Sequence, residues 1–152
     1  MAPLQLKTLT SIGEIRARAA AWDRLWQRSD VSLPTARAEL TAQWLEHFAP
    51  HAAIRVLVVE QGEELAAVLP LVAWRYRGVL NVGGLTGNIW SFNGEFLVDS
   101  NADQAAIFDL LARAMAELVP WPLVWFDMIP AETPRWQGLI TAIQQHGCVT
   151  DI

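Results

Sequence analysis

Apolar positions along the chain follow two rhythms, one of period two and one of period three to four. Leu4, Leu6 and Leu9 alternate loosely with polar neighbours, which predicts a short first strand over Leu4 to Leu9. Ser11 followed three residues on by Glu14 makes a capping box, and Ile12, Ile15, Ala19, Trp22 and Trp26 then recur at helical spacing. One helix through Gln27 is expected, with Arg16, Arg18, Arg24 and Arg28 off its apolar face. Pro34 opens a second helix, striped by Leu40, Trp44 and Phe48 with Leu45 beside them, and Pro50 closes it. The valine-rich run Ile54 to Glu60 is nearly all apolar and reads as a central strand. Gln61, Gly62 and Glu63 form a hairpin turn into a returning strand, Leu65 to Tyr76. Pro70 has no N–H to give a ladder, so an edge position or a bulge is expected there.

Val79 to Val82 reads as another short strand, Gly83 to Gly94 as a glycine-rich loop, and Glu95 to Val98 as resumed extended chain. Asp99, Ser100 and Asn101 are expected to cap a third helix carrying Ile107, Leu111, Ala114 and Leu118, widened by Leu110 and Met115, with Pro120 and Pro122 beyond its end. Leu123 to Met128 holds no polar residue before Asp127 and is expected to be a strand buried on both faces. Thr133 and Pro134 start a fourth helix facing the core with Trp136, Leu139, Ile140 and Ile143, and Gly147 ends it. Cys148 to Ile152 reads as the opening of one more strand. The predicted fold class is therefore α/β in the broad sense (α+β): one domain over residues 1–152, with a mixed, mostly antiparallel sheet and helices on both faces.

Composition narrows the function classes. At 152 residues and 53% apolar, the chain fits one ordinary core and is too apolar for a disordered segment. A net charge of −5 argues against a general nucleic-acid binder. Cys148 stands alone, so no internal disulfide forms and a reducing, cytoplasmic setting is expected. The longest apolar runs fall far short of the roughly 20 residues that span a bilayer, and the first residues lack the charged head and apolar stretch of a secretory signal. Eight tryptophans each carry an N–H that wants a partner, so polar seams through the core are expected.

Recognisable catalytic motifs are few. His47 and His51 have the spacing of a metal pair, but Pro50 breaks the helix between them and no third ligand is near, so no metal is expected. Gly83, Gly84 and Gly87 imitate a phosphate loop without the following helix that would supply anion-binding N–H groups. Arg75 and Arg77 beside Gly78 are either a receptor for an anion or a solvated hairpin end. Cys148 has no activating neighbour in sequence. The segment from Asn88 to Glu95 gathers amides, a hydroxyl, a carboxylate and two aromatics in one loop. It makes Asn88, Trp90, Ser91 and Asn93 candidate substrate-binding residues. Glu95 and Asp127 are the candidate general bases.

The order of elements resembles the GNAT family of N-acetyltransferases. The residues Trp22, Asp23, Arg24, Leu25 and Trp26, then Trp44, the run from Ile54 to Leu71 and the stretch from Val82 to Val98, resemble the CelD/BcsL cellulose-biosynthesis acetyltransferase group, and Ile143 to Cys148 fits it too. That resemblance implies acyl transfer from acetyl-CoA or another acyl-CoA to an amine or a sugar hydroxyl. It also implies a two-domain protein, as in the Fem aminoacyltransferases, of which this chain is the N-terminal half. The chain stops where a final strand pair is due. A second GNAT-like domain or a second copy is the expected partner.

The resemblance and the electrostatics part at one place. A GNAT enzyme holds a pyrophosphate on free N–H groups at a helix start, through glycine and arginine or glutamine. Here the corresponding junction, Asp99 to Ala106, has neither glycine nor arginine and carries two carboxylates. Those carboxylates would satisfy the donors themselves. The expectation is a degenerate domain that binds no acyl-CoA alone and supports a partner's catalysis; the alternative is a self-sufficient acyltransferase.

Overall fold

A computed structural model describes residues 2–88 and 94–148. Its elements are β1 (Leu4–Leu9), α1 (Ile12–Ala17), α2 (Ala19–Arg28), a single 3₁₀ turn (Pro34–Ala36), α3 (Ala38–Phe48), β2 (Ile54–Gln61), β3 (Glu64–Tyr76), β4 (Leu80–Leu85), β5 (Leu97–Val98), α4 (Gln104–Leu118) and α5 (Pro134–Gln145). The sheet runs β1-β2-β3-β4 with every ladder antiparallel, and β5 also pairs with β3. It is an open mixed α+β fold, as the pattern predicted.

Each face of the sheet buries its own core. On one side Ile15, Trp22, Leu25, Trp44 and Leu45 from the first three helices cover Val56, Val58, Val68 and Val72. On the other, Ile107, Phe108, Leu111, Trp136 and Leu139 from α4 and α5 cover Leu57, Val59, Leu69 and Leu71. The alternation of β2 and β3 between the two sets explains why Val56 to Val59 and Leu65 to Ala73 carry no polar side chain.

Several expectations need correction. The first helix is two: the chain breaks at Arg18 (φ −101°, ψ 3°), whose guanidinium reaches Glu60 in β2. The helix expected from Pro34 is a 3₁₀ turn, an extended Arg37 and then α3. Asp23 of α2 accepts from the Ala38 N–H at 3.3 Å and caps α3 from a distance. Leu40 and Phe48 point largely to solvent, and the buried face of α3 is Ala38, Thr41, Ala42, Trp44 and Leu45. Pro70 is neither on a free edge nor at a bulge, since the register shift falls between Val59 and Glu60. Pro70 sits where the outer neighbour of β3 changes from β5, at Ala67 and Val68, to β4, from Leu71 onward. A residue without an N–H loses nothing at such a gap.

Gly83 and Gly84 belong to β4, not to a loop. Their missing side chains make room: a Cβ on Gly83 would lie 2.3 Å from the Trp121 ring, and one on Gly84 2.9 Å from Trp74. The cap of α4 is Asp103, not the Asp99–Asn101 turn, and Leu118 is exposed. The run Leu123 to Met128 is not a strand buried on both faces. It makes one parallel bridge, with Gly83 donating to Leu123 O at 2.9 Å and Trp125 donating to Gly83 O at 2.7 Å. Val124 and Phe126 pack on the α4–α5 core, whereas Leu123 and Trp125 face the side that the first three helices do not reach. The positive φ of Met128 (55°) then turns the chain away. Cys148 is free and in no strand, and the rest of the strand expected from it lies outside the described residues. No helix among the described residues is long and apolar enough to cross a membrane.

Candidate functional site

Where β4 and the Trp125 segment part, the sheet face is left open and forms a trough of about 500 Å³. Its apolar lining among the described residues is Leu33, Trp74, Tyr76, Val82, Leu85, Trp125 and Met128. The Tyr76 and Trp125 rings stack at 6.2 Å and 29°. The Trp74 indole N–H donates to Leu85 O at 3.3 Å, which holds that ring against the strand. Cavities of this size with apolar walls and few polar groups are where small ligands bind. Here the polar lining comes from Arg75, Asn88, Glu95 and Asp127.

Three of the sequence-predicted residues, Asn88, Glu95 and Asp127, thus come together in one place. Trp90, Ser91 and Asn93 lie outside the described residues. The two carboxylates differ. Glu95 accepts from its neighbour Phe96 N–H and from Trp136 Nε1, both at 2.9 Å on Oε1, while Arg135 holds Oε2 at 2.9 Å. Its side chain is 12% exposed. A carboxylate so surrounded is a hydrogen-bond acceptor held in one orientation. Asp127 is exposed, and no described residue donates to it.

Arg135 is the residue that sequence reasoning missed. Its side chain is only 7% exposed, and it joins Glu95 to Asp30 (2.7 Å) across the connection that follows α2. Its Nε has no partner among the described residues. The signal was slight: an arginine next to Trp136 in the first turn of a helix, where a cation is unfavourable unless carboxylates meet it. The tryptophan N–H groups behave as expected in part. Trp22 donates to Ala36 O, Trp26 to Leu33 O and Trp136 to Glu95, whereas Trp44 Nε1 is buried without a partner among the described residues.

The junction before α4 is filled by its own groups. Arg28 Nε grips Asp99 Oδ2 at 2.7 Å, and Asn101 N–H donates to Asp99 Oδ1 at 2.9 Å. Asp103 Oδ1 accepts from Ala106 N–H at 3.2 Å. A diphosphate brought here meets two carboxylates and finds the Ala106 N–H already given to Asp103. These residues do not fit coenzyme A. Elsewhere, Arg77 (φ 51°) and Gly78 (φ 74°) form the β3–β4 hairpin end, and the Arg77 guanidinium lies 5.5 Å from the centre of the Tyr76 ring. His47 Nδ1 is 2.8 Å from Gln43 O, and no three metal-ligating side chains gather among the described residues. No protein-family model, curated protein or solved structure matches the chain.

Proposed function

We propose that this chain is a GNAT-like module of the CelD/BcsL type that does not hold acyl-CoA itself. Its trough shapes the acceptor side of a site completed by a second GNAT-like domain or a second copy, in a cytoplasmic setting. The observation that carries the reading is the α4 start, where Asp99 is clamped by Arg28 and Asp103 caps Ala106. The order of elements and the trough beside β4 support it. In this reading Glu95, fixed by Arg135 and Trp136, anchors the trough lining. Asp127 is the carboxylate with lone pairs free to meet an acceptor.

One observation favours the rival reading of a self-sufficient acyltransferase: the uncommitted Asp127 carboxylate, placed to take a proton from an amine or a sugar hydroxyl. Isothermal titration of acetyl-CoA into the purified chain separates the two. No saturable heat is expected, and micromolar binding would overturn the proposal in favour of the rival.

A further inference from the structure

The β3–β4 hairpin outruns its neighbour β2. Ile54, the first residue of β2, pairs with Val72, and the Ala73 N–H donates to Ala53 O at 2.9 Å. Beyond that point Trp74, Arg75 and Tyr76 pair with Val82, Asn81 and Leu80 of β4 and with no other strand among the described residues. Every residue from Arg75 to Asn81 is exposed. Turns that only meet water are built mostly from glycine and small polar residues. This one has Gly78 but presents apolar side chains: Val79 is 89% exposed, Tyr76 46% and Leu80 44%.

The charge on the hairpin has one sign. From Leu65 to Gly94 the sequence holds no carboxylate, and Arg75 and Arg77 are its only charged side chains, in a chain of net charge −5. Neither pairs with a carboxylate among the described residues, unlike Arg28 or Arg135. Alternation along β3 puts Arg75 on the face opposite Tyr76, while the Arg77 guanidinium lies 5.5 Å from the centre of the Tyr76 ring. An apolar tip thus has a cation beside it on each face of the hairpin. Asp127 shares the trough lining with Tyr76, but one exposed carboxylate does not cancel two arginines.

We propose that the tip of the β3–β4 hairpin docks on an anionic phospholipid surface. Tyr76, Val79 and Leu80 enter the boundary between headgroups and acyl chains, and Arg75 and Arg77 reach the lipid phosphates. Aromatic rings favour that boundary, and arginine stems lie along apolar surface while their charged ends stay among the headgroups. A folded protein partner is a poorer match, because a stable complex covers about 800 Å² on each side and a two-stranded tip offers little flat area. The proposal goes beyond the acyl-transfer reading and does not rest on it.

The test is co-sedimentation of the whole chain with phosphatidylcholine vesicles, made with and without about 30% phosphatidylserine. One arginine near an anionic surface strengthens binding by about fivefold, so the parent is expected to bind the mixed vesicles more tightly by a factor of about ten or more. Arg75→Gln and Arg77→Gln are each expected to lose about fivefold on the mixed vesicles. Val79→Asp is expected to lose about tenfold or more there. All three side chains are exposed, so the variants keep the fold. Equal binding of the parent to both kinds of vesicle, or none, would overturn the proposal, as would Val79→Asp binding like the parent. Sedimentation velocity without lipid addresses the rival occupant. A dimer that Val79→Asp dissociates, together with no binding to vesicles, would assign the tip to a second copy and overturn the lipid reading.

Discussion

Replacing Arg135 by methionine removes the cation that ties Glu95, in the lining of the trough, to Asp30. Methionine keeps most of the aliphatic stem, so the packing loss is small. Glu95 keeps the Phe96 and Trp136 N–H donors on Oε1, but Oε2 loses the Arg135 guanidinium, its partner among the described residues. Asp30 is nearly half exposed and rehydrates at little cost. Breaking a buried pair by removing one partner costs about 3–5 kcal/mol. Glu95 lines an open trough that water can enter, so the cost falls at or just below the bottom of that range, roughly 2–3 kcal/mol. In urea, where a small protein loses about 2 kcal/mol per molar, the midpoint should fall by about 1–1.5 M. The melting temperature should fall by about 5–10 °C. Glu95→Gln alone should cost less, because Arg135 keeps Asp30. In the double variant the two losses should overlap by about 1 kcal/mol or more. An Arg135→Met midpoint within error of the parent, or strictly additive losses, would refute the claim that Arg135 holds Glu95 in the trough lining.

Two glycines should respond in opposite senses to alanine. Gly83→Ala drives a methyl to 2.3 Å from Trp121 and should destabilise by about 1–3 kcal/mol, whereas Gly13→Ala in α1 meets only Ser11 Oγ at 4.0 Å and should stabilise by about 0.5–1 kcal/mol in the same denaturation assay. Glu60 gives a pH signature. Burial alone would raise its carboxyl above the usual 4.5, but hydrogen bonds from Lys7 and Arg18 outweigh that and hold it lower. A carboxyl lowered in the folded state lends stability that is present above 4.5 and lost as pH falls through the folded value. Urea midpoints at neutral pH and at about pH 3 should therefore differ more for the parent than for Glu60→Gln, and equal acid sensitivity would contradict the pairing.

The elements that were legible in the sequence are those whose apolar period had one meaning. β1, the capping box at the start of α1, β2, β3 and α5 with Thr133 and Pro134 fall where the pattern placed them. The errors share a cause: a local signal whose meaning depends on a distant neighbour. Leu123 to Phe126 looks like a doubly buried strand, but only the Val124 and Phe126 side meets helices. Gly83 and Gly84 look like loop glycines until Trp121 and Trp74 are seen against them. Asp99 looks like a cap, yet Arg28 takes its carboxylate and leaves the capping to Asp103. At the site, Glu95 and Asp127 were legible as carboxylates beside a cleft. Their division into a clamped group and an uncommitted one depends on Arg135, which lies 40 residues away along the chain from Glu95.

The most direct test of the central claim reads the amides of the α4 start themselves. In a nitrogen-15 correlation spectrum of the whole chain, millimolar acetyl-CoA should leave the Ala105, Ala106 and Ile107 signals where they are. A saturable shift centred on those amides would show a diphosphate seated where Asp99 and Asp103 are held to exclude it, and would make this chain an acyl-CoA-binding enzyme in its own right.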